Sequence, residues 1–121
     1  MTAAYFDTNI IIDFFAGHPP AKTVMEKFTL RKCPAVAYIE FMTGIDTPQK
    51  KAQADEVIHA LFEIVQTDMD TCREAATLRR KTRLKLPDAM VYGAARAGGG
   101  ILVTRDGDFD PRWPDVYVPY E

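Results

Sequence analysis

The sequence predicts an α/β fold, with a central, mostly parallel sheet flanked by helices on both faces. Three observations carry the prediction. Residues 3–6, 33–36 and 101–104 are short apolar runs without a charge, as strands buried on both faces are. The longer segments between them place apolar residues at helical spacing and open on helix-start signals. Alternation of the two classes calls for crossover connections, and crossovers pair strands in parallel.

The elements follow in order. Residues 3–6 (Ala-Ala-Tyr-Phe) read as the first strand, closed at once by Asp7 and Thr8, both helix-capping types. Asn9 to Phe15 holds Ile10, Ile11, Ile12, Phe14 and Phe15. Alone it fits a strand; its place after a strand and a polar turn makes it a short buried helix, ended by Gly17. Pro19-Pro20 starts a second helix, with Val24, Met25 and Phe28 on its inner face. Residues 33–36 are the second strand, and a helix carrying Glu40 follows to near Gly44. Thr47-Pro48 gives a capping hydroxyl and then a proline at the first helical position, opening a helix with Val57, Ile58, Leu61 and Phe62. Residues 63–66 make a short strand. Thr67 and Asp70 have the spacing of a capping box. The helix after them runs through Ala75, Ala76 and Leu78 into a basic tail. Pro87 opens the helix of Asp88, and Gly98-Gly99-Gly100 stops it. Residues 101–104 are a buried strand. Residues 116–118 are an edge strand, because Pro114 and Pro119 bracket it.

Composition narrows the function. A length of 121 residues fits one domain, residues 1–121, and a hydrophobic content of 47% supplies a core without a staple. The formal charge of -2 provides no global basic field, so contact with nucleic acid has to come from local clusters or a second subunit. Cys33 and Cys72 sit in apolar surroundings with no CxxC pair, which reads as two buried thiols in a reducing compartment rather than a zinc site. With no basic-then-apolar leader and no bilayer-length apolar run, the expectation is a soluble, cytoplasmic protein without membrane contact.

Four acidic residues stand at the turning points of the chain: Asp7, Glu40, Asp88 and Asp106. Each has a bland reading. Asp7 can cap the following helix, although Thr8 could cap it equally well. Glu40 can lie on the one solvated stripe of an apolar helix. Asp88 suits the positive end of a helix dipole. Asp106, Asp108 and Asp110 can form a hydrated turn. Together they carry more. Ligands of open α/β sheets bind beyond the carboxyl ends of the strands. Carboxylates gathered there cannot all ionise unless a cation joins them. The chemistry implied is divalent-metal catalysis on a phosphate.

Asp7-Thr8-Asn9, Ile39-Glu40-Phe41 with Gly44, Leu86-Pro87-Asp88-Ala89, and Val103-Thr104-Arg105-Asp106 with Asp108-Phe109 form an ordered set. That set resembles the PIN domain, and within it the VapC toxins of toxin–antitoxin pairs, over essentially the whole chain. The resemblance implies a PIN fold, a metal-dependent endoribonuclease, a cognate antitoxin and a homodimer. It implies that Asp7, Glu40, Asp88 and Asp106 are the catalytic acids, with Asp108 at a more variable acidic position. Asp7, Asp88, Asp106 and Asp108 are the candidate metal ligands; which of Asp106 and Asp108 faces the metal stays open. Hard oxygen donors suit Mg2+ or Mn2+, and such an ion acidifies water and neutralises charge on a phosphate.

Thr8, Asn9 and Thr104 are supporting candidates: a hydroxyl or amide beside a metal cluster can orient its carboxylates. Arg79, Arg80, Lys81, Arg83 and Lys85 are either a solvated helix end or a phosphate track leading to Asp88. Trp113, Phe109 and Tyr117 can stack bases, though packing the last segment onto the core is their simpler use. His18 and His59 lie outside every motif. A receiver domain would need its acceptor aspartate at a mid-chain strand end and a lysine after a late strand, where Arg105-Asp106 stands. A dehalogenase-type phosphatase would need a second aspartate where Asn9 stands. A catalytically silent PIN-like interaction module is the non-enzymatic alternative. Val24, Met25 and Phe28, with Val57, Ile58, Leu61 and Phe62, offer more apolar helix face than a small sheet needs, so part of it is expected to be exposed for a partner.

Overall fold

The structure is a computed structural model that describes residues 2–121. One sheet has the strand order β3-β2-β1-β4-β5, with every neighbouring pair parallel. β1 (Ala4–Phe6) lies at the centre, between β2 (Arg31–Pro34) and β4 (Ile101–Val103). β3 (Glu63–Val65) and β5 (Val116–Tyr117) are the edges. In register, Ala4 faces Arg31 on one side and Ile101 on the other, and Phe6 faces Val103.

Helices α1 (Thr8–Phe15) and α2 (Pro19–Lys27) connect β1 to β2; α3 (Ala35–Thr43) and α4 (Pro48–Leu61) connect β2 to β3. α5 (Met69–Lys81) and α6 (Leu86–Ala97) carry the chain from β3 back across the sheet to β4. Right-handed crossovers run in opposite directions in these two halves, which puts α5 and α6 on the face opposite α1–α4. The reversal falls at β1, so a crevice opens between the carboxyl ends of β1 and β4. The core on either side of β1 includes Phe6, Ile10, Ile11, Ile58, Leu102 and Val103, all fully buried.

Two glycines set how α6 is placed. A β-carbon at Gly93 would meet the backbone of Ala75 and Thr71 at 3.0 Å, so the close approach of α6 to α5 depends on its absence. Gly99, at φ +66, turns the chain out of α6 in the left-handed region.

Several expectations need correction. The second strand is Arg31–Pro34, not 33–36, and Ala35 already begins α3. An apolar run was the wrong guide, because both charged residues find polar partners in place. Arg31 donates to the carbonyls of Leu61, Met25 and Phe28, and Lys32 pairs with Glu63 at 2.6 Å. The cap of α5 is Asp68, whose Oδ1 accepts from the Thr71 amide at 2.8 Å, not the box from Thr67 to Asp70. Asp70 instead pairs with Arg73. Cys33 is buried, with its thiol pushed up to about 12 by burial, but Cys72 is exposed on α5. The supposed surplus apolar face is mostly used: Val24, Met25, Ile58 and Phe62 are buried, Phe28 and Leu61 are half-buried, and Val57 is exposed. What remains open is a groove of about 400 Å3 lined by Phe15, Phe41, Ile45, Ala54 and Val57, with Lys50 and Gln53 at its polar side. Among the described residues, no helix is long and apolar enough to cross a membrane.

Candidate metal centre

The site is assembled from the ends of β1 and β4, the start of α6 and the later half of α3. Asp7 follows β1 in extended conformation, and its amide donates to the Val103 carbonyl at 2.9 Å. Pairing of the two central strands therefore extends to this residue and fixes it. Its carboxylate is almost fully buried, at 4% exposure. Oδ1 accepts from the Thr8 amide at 2.9 Å, so Asp7, not Thr8, caps α1. Oδ2 accepts from the Thr104 hydroxyl at 2.7 Å. Capping and site-building are thus compatible, since each oxygen takes one task.

Thr8 is released to bond elsewhere. Its hydroxyl donates at 2.8 Å to Oε1 of Glu40, which stands exposed on α3. Thr104, fully buried after β4, accepts from the Asp106 amide at 3.0 Å. Asp106 Oδ1 accepts from the Asp108 amide at 2.9 Å, which closes a tight acidic turn. Asp88 comes in from the first turn of α6. One carboxylate oxygen from each of Asp88, Asp106 and Asp108 lies within 4.8 Å of the others.

Electrostatics report the same convergence. Burial, reinforced by the charges of Asp88 and Asp106, pushes Asp7 up to about 6 against the opposing bonds from Thr104 and Thr8. Burial also pushes Asp88 up to about 6, with Asp106, Asp108 and Glu40 adding to the rise and Lys85 opposing it. The five acids are felt in one place, and the cost of ionising them together is what a cation removes. The donor set is all oxygen, which fits Mg2+ or Mn2+ rather than zinc.

Asp7, Thr8, Glu40, Asp88, Thr104, Asp106 and Asp108 therefore gather, but Asp7 lies outside the tight group of three. Asn9 does not bond Asp7; its Oδ1 faces the Arg105 amide at 3.4 Å. Arg79, Arg80 and Lys81 are exposed on the last turn of α5, while Arg83 and Lys85 are exposed in the link to α6. Asp110 is tied to Arg112 and takes no part. His59 contacts Asp55, and His18 caps α2 against the Tyr120 ring, so neither enters the site. Phe109 and Trp113 pack around Tyr92, and Tyr117 packs against Phe28. Beside them is a cavity of about 300 Å3 reached by Lys81 and Arg96, but Arg96 is held by Glu74 and Asp115.

Sequence reasoning missed Asp13, Arg105 and Tyr120. Arg105 forms a two-pronged pair with Asp13, Nε to Oδ2 at 2.6 Å and Nη2 to Oδ1 at 3.1 Å. The Tyr120 hydroxyl donates to the same Oδ2 at 2.8 Å. The signal was present: Asp13 is a lone charge within Ile-Ile-Ile-Asp-Phe-Phe, as Glu40 is within its own apolar helix.

The PIN domain matches residues 4–111, nearly the whole chain. The chain belongs to the PIN domain family, a family of nucleases. Within it, the likeness is to VapC-type toxins. A chain of a toxin–antitoxin complex from Klebsiella pneumoniae is 34% identical, with 98% of this chain and 99% of that one covered and a TM-score of 0.85. FitAcB from Neisseria gonorrhoeae (19% identical, 96% and 97% covered, TM-score 0.77) shares the fold. So does VapBC2 from Rickettsia felis, solved with a DNA fragment from its promoter (16% identical, 94% and 95% covered, TM-score 0.79). No curated protein matches the sequence.

Proposed function

We propose that this chain is an endoribonuclease that uses Mg2+ or Mn2+ and acts as the toxin of a type II toxin–antitoxin pair. The observation that carries the reading is the crevice itself: three carboxylates within 4.8 Å beside a buried fourth, at the point where the strand order reverses. When bound there, a divalent ion would lower the pKa of a water and neutralise charge on the scissile phosphate. Asp88, Asp106 and Asp108 would hold it. Asp7, anchored by two hydrogen bonds, adds fixed negative charge and keeps lone pairs free for the ion. Glu40, oriented by Thr8 and open to solvent, is a proton acceptor at the mouth of the crevice. Arg79, Arg80, Lys81, Arg83 and Lys85 supply the phosphate contacts that a chain of net charge -2 otherwise lacks.

The groove of Phe15, Phe41, Ile45, Ala54 and Val57 would receive an apolar antitoxin segment. This extends the relationship to the Klebsiella pneumoniae chain, which comes from such a complex. A homodimer would double the basic track, and the RNA substrate would be met in the cytoplasm. Sequencing RNA fragments after brief induction in cells tests the reading. Wild type should produce discrete new 5′ ends that Asp7→Asn does not. Identical fragment patterns from the two would favour the catalytically silent module.

A further inference from the structure

We propose that Asp13, Arg105 and Tyr120 form a positioning latch that sets the Asp106–Asp108 turn in its metal-ready geometry before any ion arrives. The proposal rests on the metal-site reading and deepens it. Arg105 lies between the two residues that matter most in this loop: Thr104, which bonds Asp7, and Asp106, which faces Asp88. The turn's own bonds, from Thr104 to Asp106 and from Asp106 to Asp108, with Phe109 buried at its end, shape it locally; the tie to α1 sets where that turn stands against the mutual repulsion of the acids and the freedom of Gly107.

The hold on Arg105 is unusually complete for a surface arginine. Both prongs of its guanidinium reach Asp13 on α1, at 2.6 and 3.1 Å. Planar, two-point pairing fixes direction as well as distance. Tyr120, from the segment after β5, donates to the same Asp13 oxygen at 2.8 Å. Asn9, also on α1, faces the Arg105 amide. Arg105 is therefore tied to α1 by side chain and backbone, and the tie continues through Thr104 and Asp106 to Asp108. Arg105 touches no reacting atom in this scheme; it acts through Asp106.

Hydrogen exchange on the metal-free full chain and Mn2+ titration by calorimetry test the latch together. In Arg105→Ala, the Asp106 and Asp108 amides should exchange about tenfold faster while the β1 and β4 amides are unchanged. Mn2+ affinity should fall about tenfold, the low end of what loss of outer-shell support costs. Tyr120→Phe should weaken Mn2+ by a smaller factor. Arg105→Lys, which keeps the charge but not the fork, should recover only part of the loss. If Arg105→Ala fails to fold, Tyr120→Phe and Asp13→Asn carry the same test. Unchanged loop exchange, or faster exchange with undiminished Mn2+ affinity, overturns the latch. Undiminished Mn2+ binding by Asp88→Asn would instead overturn the metal-site reading.

Discussion

Asp7 is held by two hydrogen bonds yet resists ionisation, and the balance sets a pH dependence. In the folded chain Asp7 and Asp88 are both raised from 3.8 to about 6, Asp7 chiefly by burial. Between those values the folded state binds more protons than the unfolded one. Their contribution is therefore greatest below about pH 4 and is lost as pH rises through about 6. Asp13, lowered by Arg105, works in the opposite sense but only below its ordinary range. Urea unfolding in EDTA should show stability falling between about pH 4 and pH 6, with Mn2+ reversing the loss at pH 7. Asp7→Asn should flatten the profile. For Asp7 the loss is roughly 3 kcal/mol at full ionisation, and the substitution gives back about 1 kcal/mol through a poorer bond with Thr104. A metal-free profile with no decline over that window would mean the acids are not crowded. Within the turn, Asp106→Asn keeps the bond to the Asp108 amide but loses the charge that would hold the ion, so cleavage should drop by about a hundredfold or more. Asp108→Asn, at an exposed position, should do less. The reverse order in a cleavage assay would exchange their roles.

The α5–α6 pair carries the basic run and delivers Asp88. Gly93→Ala would press a methyl against α5 backbone at 3.0 Å, so it should cost about 1–3 kcal/mol in urea unfolding. A neutral result would show that the helices can part without loss. Changing Arg79, Arg80 and Lys81 together to Ala should leave stability nearly intact and lower the slope of log affinity against log salt for single-stranded RNA by about 2. An unchanged slope would return the run to a solvated helix end. Most elements were legible because their signals are local: Thr47 with Pro48 for α4, Pro87 for α6, and the apolar run for β4. The start of β2 was not, because Arg31 and Lys32 look like loop residues until Leu61 and Glu63 are brought to them across the sheet. The Thr67–Asp70 spacing misplaced the cap of α5 by one residue, because a capping oxygen at Asp68 serves as well and it is Asp68 that reaches the Thr71 amide.

At the scale of the molecule, strand order produces the site. β1 lies between strands reached by opposite crossovers, and the crevice at its carboxyl end collects side chains from positions 7, 40, 88 and 106. The sequence revealed these acids individually because each stands beside or within an apolar stretch. It could not show that Asp7 keeps both oxygens bonded while Asp88, Asp106 and Asp108 close to within 4.8 Å. Nor could it show that Asp13 and Tyr120 brace the loop from 92 and 15 positions away from Arg105, since those contacts exist only after β4 pairs with β1. The partner claim has its own check: co-expression with the neighbouring small gene should relieve growth inhibition and yield a complex that co-purifies. The central claim is metal-dependent cleavage of RNA, and purified chain incubated with a structured RNA tests it most directly. Cleavage should appear with Mg2+ or Mn2+, stop with EDTA, and be lost in Asp88→Asn. Cleavage that continues undiminished in EDTA would contradict the account.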